Sequence, residues 1–126
     1  MKTFDPAVLG ECIPQIVEAG VEAMPREIGG FICPDGTIFW LTNEAEEEQQ
    51  WLVSADQLHH AFNGGNGLRE LGFDYTDILV WHTHPSGFIG PSRQDLESRR
   101  DPEVADFWKD TAYATISLPG GEVVLY

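Results

Sequence analysis

The segment DILVWHTHP, residues 77–85, joins a short continuous apolar run to two histidines that stand two positions apart. A continuous apolar run of this length is typical of a strand that is covered on both faces in the middle of a sheet. Side chains two positions apart in a strand point to the same face, so His82 and His84 project together while Thr83 faces away. The segment therefore predicts a central strand that brings two imidazoles to one place.

Three helices are predicted around this strand. Each starts at a residue type that is favoured at helix N-termini, and the first two continue with apolar side chains at helical spacing. The first helix starts at Asp5-Pro6 and ends near Met24-Pro25, the second starts at Ser54 or Asp56 and runs through Phe62, and the third starts at Ser92.

Two β-hairpins are predicted from β-rich runs that flank proline and glycine turns. They are EIGGFIC with TIFWLT around Pro34-Asp35-Gly36, and TAYATISL with EVVLY around Pro119-Gly120-Gly121. WLVS, residues 51–54, is expected to add a short strand, and the preceding NEAEEEQQ an exposed loop. The order helix, hairpin, helix, strand, helix, hairpin predicts a single α/β domain over residues 1–126, with a mixed sheet flanked by helices. This order lacks the regular alternation of strands and helices that is typical of a doubly wound fold.

The charge of the chain restricts its partners. Acidic residues outnumber basic ones 21 to 7, which gives a formal net charge of -14. This balance disfavours nucleic acid and anionic membrane surfaces as partners, because phosphate groups would be repelled. The first residues do not resemble a secretory signal, and no apolar run reaches the roughly 18 residues of a membrane span. Cys12 and Cys33 match no metal-binding spacing and are expected to be buried free thiols in a cytoplasmic protein.

A third potential metal ligand follows the histidine pair. Asp95 comes three positions after Ser92, and the intervening loop contains Gly87 and Gly90, which allow it to fold back. If Ser92 opens a helix, Asp95 lies in its first turn and can face the two imidazoles. Two imidazoles and one carboxylate leave a fourth tetrahedral position free, as in catalytic zinc sites. Zinc at such a site activates a water molecule as a nucleophile.

Two more residues complete this predicted site. Glu27 precedes the first predicted strand and is the candidate proton shuttle, provided that this strand neighbours the histidine strand. Ser92 would donate its hydroxyl to an oxyanion. Each piece alone has a simpler interpretation, since a histidine pair can be polar surface and Ser92-x-x-Asp95 can be a helix capping box. Together, His-x-His-Pro and Ser-x-x-Asp at this offset are expected by chance in about one in a hundred thousand such chains.

The combined pattern resembles the motif of the JAMM (MPN-plus) zinc metallopeptidases. In that family an upstream Glu precedes His-Ser/Thr-His-Pro, which is followed after a fixed spacing by Ser-x-x-Asp, as in HTHPSGFIGPSRQD here. MPREIGGFI resembles the helix-to-strand junction of the family, and LTNEAEEEQQWLVS resembles an Asn-containing segment of its small prokaryotic and phage members. The resemblance implies the following roles: zinc ligation by His82, His84 and Asp95, water binding and proton transfer by Glu27, and oxyanion stabilisation by Ser92.

The resemblance also implies an activity and a fold. Members of the family hydrolyse peptide or isopeptide bonds, often after the C-terminal Gly-Gly of ubiquitin-like proteins, and have a three-layer α/β/α fold of the cytidine-deaminase-like type. The expected partner is therefore a protein or peptide substrate, in the cytoplasm of a prokaryotic or phage-infected cell. Two alternatives are a phage tail-assembly JAMM protein and a non-catalytic assembly module with a vestigial metal site. A zinc deaminase is disfavoured because the chain has no Cys-x-x-Cys.

Aromatic and histidine residues outside the motif have simpler roles. The chain has four tryptophans, Trp40, Trp51, Trp81 and Trp108. Most are expected in the core and one in a substrate groove, with Phe88 as a second groove candidate. His59-His60 is expected on a helix surface, because adjacent helical residues diverge by about 100° and cannot grip one ion together.

Overall fold

The computed structural model describes residues 4–48, 50–99 and 110–126. In chain order the elements are α1 (Pro6–Ala23), β1 (Gly29–Ile32), β2 (Ile38–Leu41), α2 (Ala55–Asn63), β3 (Leu79–His84), α3 (Arg93–Arg99), β4 (Ala112–Ser117) and β5 (Val123–Leu125). These elements follow one another along the chain in the predicted order of helices, hairpins and central strand.

The two longer helices begin where their capping residues predict. The Asp5 side chain accepts a hydrogen bond from the backbone N–H of Ala7, 2.9 Å away, which satisfies a donor in the first turn of α1. At α2 the hydroxyl of Ser54 accepts from the N–H of Gln57, so Ser54 rather than Asp56 is the N-cap.

The five-stranded sheet places the histidine strand at its centre. The strand order is β2-β1-β3-β4-β5, so β3 lies between β1 and β4. β1 pairs antiparallel with both β2 and β3, β3 pairs parallel with β4, and β4 pairs antiparallel with β5. The sheet is therefore mixed, and both predicted hairpins and the central strand are confirmed.

The prediction of a short strand at WLVS is wrong. Residues 51–54 form no strand: the Leu52 carbonyl accepts the backbone N–H of Glu44 at 2.8 Å, but N–H groups of the segment bond to side chains. The N–H of Leu52 donates to Asn43 Oδ1 at 3.2 Å, and the N–H of Ser54 donates to Glu44 Oε2 at 2.6 Å. The local β-propensity of this segment is overridden by these side-chain acceptors.

Each face of the sheet is covered by a different helix. On one face α1 contributes buried side chains to a core that includes Ile32, Leu79 and Trp81. On the other face Phe62 of α2 packs with Phe31 in a second core. The sheet thus lies between α1 and α2, which confirms the α/β class.

Several predictions about individual residues are also confirmed. Cys12 and Cys33 are free and buried, and burial raises the pKa of Cys33 to about 12, so this thiol stays protonated at neutral pH. His59 and His60 are exposed on α2. Within the described part of the chain, no helix combines the length and apolarity needed to cross a membrane.

Candidate metal centre

The two histidines of β3 lie side by side on the face of the sheet that α2 covers. Both are buried, with 5% of each residue exposed, so the interpretation as polar surface is wrong. Their ring centroids are 5.0 Å apart. The prediction that His82 and His84 project to one place is confirmed.

The loop after β3 fixes the orientation of the second ring. His84 Nδ1 lies 3.3 Å from the carbonyl oxygen of Phe88, which also accepts a hydrogen bond of 2.6 Å from Ser117 Oγ. A carbonyl can only accept, so Nδ1 donates its proton to it, and this contact turns Nε2 towards Asp95 Oδ2. The loop reaches this position with Gly87 and Gly90 at φ of 82° and 95°, values that favour glycine. The ring of His84 is therefore held with Nε2, its potential metal-binding atom, pointing into the site.

The first turn of α3 brings a carboxylate to both rings. The N–H of Ser92 donates to Asp95 Oδ2 at 2.8 Å, and the N–H of Asp95 donates to Ser92 Oγ at 3.1 Å. This reciprocal pair is a capping box with Asp in place of Glu. Asp95 Oδ1 lies 3.2 Å from His82 Nε2, and Oδ2 lies 3.2 Å from His84 Nε2. The capping role and the proximity to the imidazoles thus coexist.

Glu27 reaches the histidines because the segment before β1 is fastened to β3. The N–H of Ile28 donates to Thr83 Oγ1 at 3.0 Å, and the N–H of Thr83 donates to the carbonyl of Ile28 at 2.8 Å. The role predicted for Glu27 required the first strand to lie beside the histidine strand, and β1 does pair with β3. Glu27 is buried beside the two rings.

These groups can hold a metal ion. One carboxylate oxygen of Glu27 and one nitrogen each of His82 and His84 all lie within 4.8 Å of one another. His82 Nε2 is buried and has no aligned hydrogen bond to any described residue, although Asp95 Oδ1 is close. A buried ring nitrogen without an aligned hydrogen bond, next to a second imidazole and two carboxylates, fits a metal ion. Glu27, predicted to shuttle protons, is thus within ligand reach of the site as well.

The two carboxyl groups differ in their pKa. Burial raises the pKa of Glu27, and the nearby charges of His82 and His84 offset only part of this rise. Burial also acts to raise the pKa of Asp95, but its contacts with the same two imidazoles outweigh burial and hold the pKa well below its usual range. For His84, burial alone would lower the pKa, yet Asp95 raises it overall. Asp95 therefore stays ionised, whereas Glu27 binds a proton more readily.

The segment 42–54 is organised by a single side chain. Asn43 Nδ2 donates to the carbonyl oxygens of Glu27 at 2.9 Å and Gln50 at 2.7 Å. Its Oδ1 accepts from the N–H groups of Ala45 at 2.9 Å and Leu52 at 3.2 Å. Asn43 thus ties the backbone of Glu27 to this loop, a role that only the Asn-containing resemblance could have indicated.

The same loop places an aromatic ring over the first histidine. Trp51 is stacked with His82 at a centroid distance of 6.3 Å and an interplanar angle of 3°. A Cβ added at Gly29, which pairs with His82 across the strands, would lie 2.6 Å from Trp51 Cζ2. Gly29 is therefore required for the indole to approach the sheet at this point.

Of the three tryptophans that the structure describes, only Trp81 is in the core, so the prediction that most of them are core is wrong for these residues, whereas the prediction of one in a groove is met by Trp51. Trp81 is buried in the core, and half-exposed Trp40 packs edge-on against it at 5.6 Å. Trp51 lines a cavity of about 720 Å³ beside the candidate metal centre, and Phe88 lines it as well. Both were candidates for the groove. Trp108 lies outside the described residues.

The cavity has a polar end and an apolar end. The polar end contains the candidate site residues Glu27, His82, His84, Ser92 and Asp95. The volume falls in the range of ligand-binding pockets, roughly 300–1,000 Å³. The chain matches no protein-family model, no curated protein and no solved structure.

Proposed function

We propose that this protein is a zinc-dependent hydrolase of peptide or isopeptide bonds and a small member of the JAMM (MPN-plus) metallopeptidases. The observation that carries the proposal is the convergence of Glu27, His82 and His84, with Asp95 beside both rings, at one end of a cavity. The sequence motif that spans the same residues supports the same chemistry.

His82, His84 and Asp95 are the proposed zinc ligands. Metal ligation requires an ionised Asp95 and a deprotonated Nε2 on His84, so the proton that Asp95 favours on His84 would be released on metal binding. When bound, zinc supplies a Lewis acid that lowers the pKa of a water molecule to near 7 and polarises the substrate carbonyl.

Glu27 is the proposed general base and acid. It takes a proton from the attacking water as the oxygen–carbon bond forms, and it delivers that proton to the leaving amine as the carbon–nitrogen bond breaks. A raised pKa suits both steps, since a group that titrates closer to neutral pH can accept and release a proton. The hydrogen bonds from Asn43 to the Glu27 carbonyl and between Thr83 and Ile28 hold the backbone at this position.

Ser92 is the proposed donor to the oxyanion. Its oxygen accepts the N–H of Asp95, which fixes the oxygen in the lining of the cavity. Its hydroxyl hydrogen remains to be donated to the developing charge on the substrate carbonyl oxygen. The same side chain thus caps α3 and serves the reaction.

Zinc binding and hydrolysis by matched variants test this function. The protein is stripped with a chelator, reloaded with zinc, and assayed on peptides, isopeptide-linked conjugates and fusions to ubiquitin-like proteins. Glu27→Gln is expected to keep one zinc per chain and to lower kcat by roughly 10²–10⁴. Glu22→Gln, an exposed position on α1, is the control and is expected to retain full activity.

Two outcomes would overturn the proposal. Full zinc occupancy without hydrolysis of any of these substrates would favour the non-catalytic assembly module instead. Loss of zinc from Glu27→Gln would make Glu27 a ligand, and the assigned proton transfer would then be wrong.

A further inference from the structure

The cavity extends from the candidate metal centre along the sheet to an apolar floor. Val80 lies two residues before His82 on the same face of β3, at a distance of about 7 Å along the strand. Phe31 of β1 and Tyr113 of β4 are its partners in the two neighbouring strands, and all three line the cavity. On this face of β3 the positions of His82 and His84 carry the chemistry, and the next position, with its two partners, is apolar apart from the Tyr113 hydroxyl.

Apolar side chains also form the wall and the rim of this pocket. Leu58 of α2 and Leu41 of β2 line it and are only partly buried. At the rim, Leu52 is 56% exposed and Phe88 is 55% exposed. Large apolar side chains at the mouth of a concave site are typical of a surface that a ligand covers.

The two rim residues stand on different sides of the histidine strand. The loop of Leu52 is tied by Asn43 to Glu27, on the side of β1. The loop of Phe88 is tied by Ser117 to β4, and its ring lies 5.8 Å from the ring of His84. A segment that crosses between them passes the candidate metal centre.

We propose that the pocket receives a bulky apolar side chain, such as leucine or phenylalanine, from a substrate residue within two positions of the scissile bond. This inference rests on the proposed hydrolase function and defines its substrate class as an extended peptide segment. The spacing carries it, because an extended peptide advances about 3.3 Å per residue and covers the distance from His82 to Val80 in two residues. A pair of glycines at these positions would leave the pocket unfilled.

Peptides with a single variable residue test the pocket without requiring turnover. Fluorescent glycine-serine peptides carry one leucine, one phenylalanine, one aspartate or no substitution, and their binding to the zinc-loaded Glu27→Gln protein is measured by anisotropy. Leucine and phenylalanine peptides are expected to bind at least about tenfold more tightly than the unsubstituted peptide. Equal binding of all four peptides would overturn the proposal.

Turnover by the wild-type protein locates the selected residue. Mass spectrometry of the products is expected to show cleavage within two residues of the leucine or phenylalanine. If these peptides bind preferentially and none is cleaved, the assignment of the apolar pocket is supported and the hydrolase function is refuted. If cleavage occurs at sites unrelated to the leucine or phenylalanine, the hydrolase function is supported and the selectivity of the pocket is refuted.

Rim variants with matched controls assign the selectivity to this surface. Leu52→Ser and Phe88→Ser are expected to reduce the preference for leucine over glycine by several-fold. Leu71→Ser and Ile89→Ser are the controls, because these side chains are 47% and 58% exposed and lie outside the cavity lining. Equal loss of preference in the controls would overturn the assignment.

Discussion

The two faces of β3 are both largely buried, but they differ in their chemistry. On the α1 side Leu79 and Trp81 are fully buried among apolar side chains. On the α2 side His82 and His84 are almost as buried but face carboxylates and a cavity, with Val80 beside them. Burial therefore does not separate a core from a reactive site. What separates them is whether the buried groups pack against each other or converge on a common point.

This contrast implies that stability and chemistry can be altered independently within six residues. Side chains of the α1 face contribute to folding through apolar burial, which is proportional to the area removed from water. Side chains of the α2 face place hydrogen-bond donors and acceptors around the candidate metal centre. They stabilise the fold less than the apolar side chains do, because charged groups are costly to bury.

The largest expected effect is on stability, from Trp81→Ala. Loss of this side chain leaves a cavity in the α1-side core and should lower the free energy of unfolding by about 3–5 kcal/mol. The zinc affinity of the folded fraction should stay within about threefold, because the Trp81 side chain packs on the face of β3 opposite to His82 and His84. Denaturant unfolding and chelator competition measure the two quantities. Trp40→Ala, at a half-exposed position, is the milder control.

The next effect is on metal affinity, from His82→Ala. Loss of a partner that only orients a ligand costs about 10–100-fold in affinity, so loss of the ligand itself should exceed about 100-fold. Competition with a chromophoric chelator measures the change, and His59→Ala on the surface of α2 should show none. An equal loss in both variants would mean that zinc binds elsewhere.

A smaller effect on metal affinity is expected from Ser117→Ala. This change removes the hydrogen bond that holds the Phe88 carbonyl against His84, so affinity should fall by about tenfold while the ligands remain. Thr111→Val is the matched control, because it removes a buried hydroxyl that bonds to a carbonyl away from the site. Affinity that is unchanged in Ser117→Ala would show that the ring is held by packing alone.

The smallest effect is on the pH dependence of the metal-free protein. The raised pKa of His84 means that the folded state binds its proton more tightly than the unfolded state, whose imidazole has the ordinary value near 6.5. The resulting stability is fully present below pH 6.5 and is lost as the pH rises through the folded value. The pKa of Glu27 is also raised, so its contribution to the free energy of unfolding likewise decreases as the pH rises above the ordinary value near 4.5.

Asp95 acts in the opposite direction, but in a different pH range. Its lowered pKa gives stability that is present above the ordinary value near 3.8 and is lost only as the pH falls below it. Asp95 is ionised throughout the range from pH 6 to pH 9, so His84 and Glu27 determine the change there. The Tm of the chelator-treated protein should fall by a few degrees between these two pH values. A circular dichroism series with His84→Asn as the control should show a flatter profile for the variant.

The parts of the site that lie close in sequence could be predicted from local rules. His82 and His84 share a face because of strand periodicity, and Asp95 faces them because Ser92 caps a helix. Glu27 could only be named conditionally. Its position depends on the pairing of β1 with β3, which no local pattern determines.

The parts that were missed depend on contacts between distant side chains and backbone. The hydroxyl of Thr83 points away from the site, as predicted, yet it accepts the N–H of Ile28 and fastens the Glu27 segment. Residues 51–54 look like a strand by composition, but Asn43 and Glu44 supply their hydrogen-bond partners. Such contacts join residues that are separated along the chain, so periodicity and propensity do not reveal them.

The four hydrogen bonds of Asn43 bear on how this fold can diversify. They clamp the loop at Ala45 on one side and at Gln50 and Leu52 on the other, while the exposed tip 46–48 receives none of them. Residues can be inserted at such a tip at little cost, because loop-closure entropy grows slowly with length. A graft there would add new recognition surface beside the cavity without displacing Glu27. This one asparagine thus makes the loop an insertion point for evolution or design.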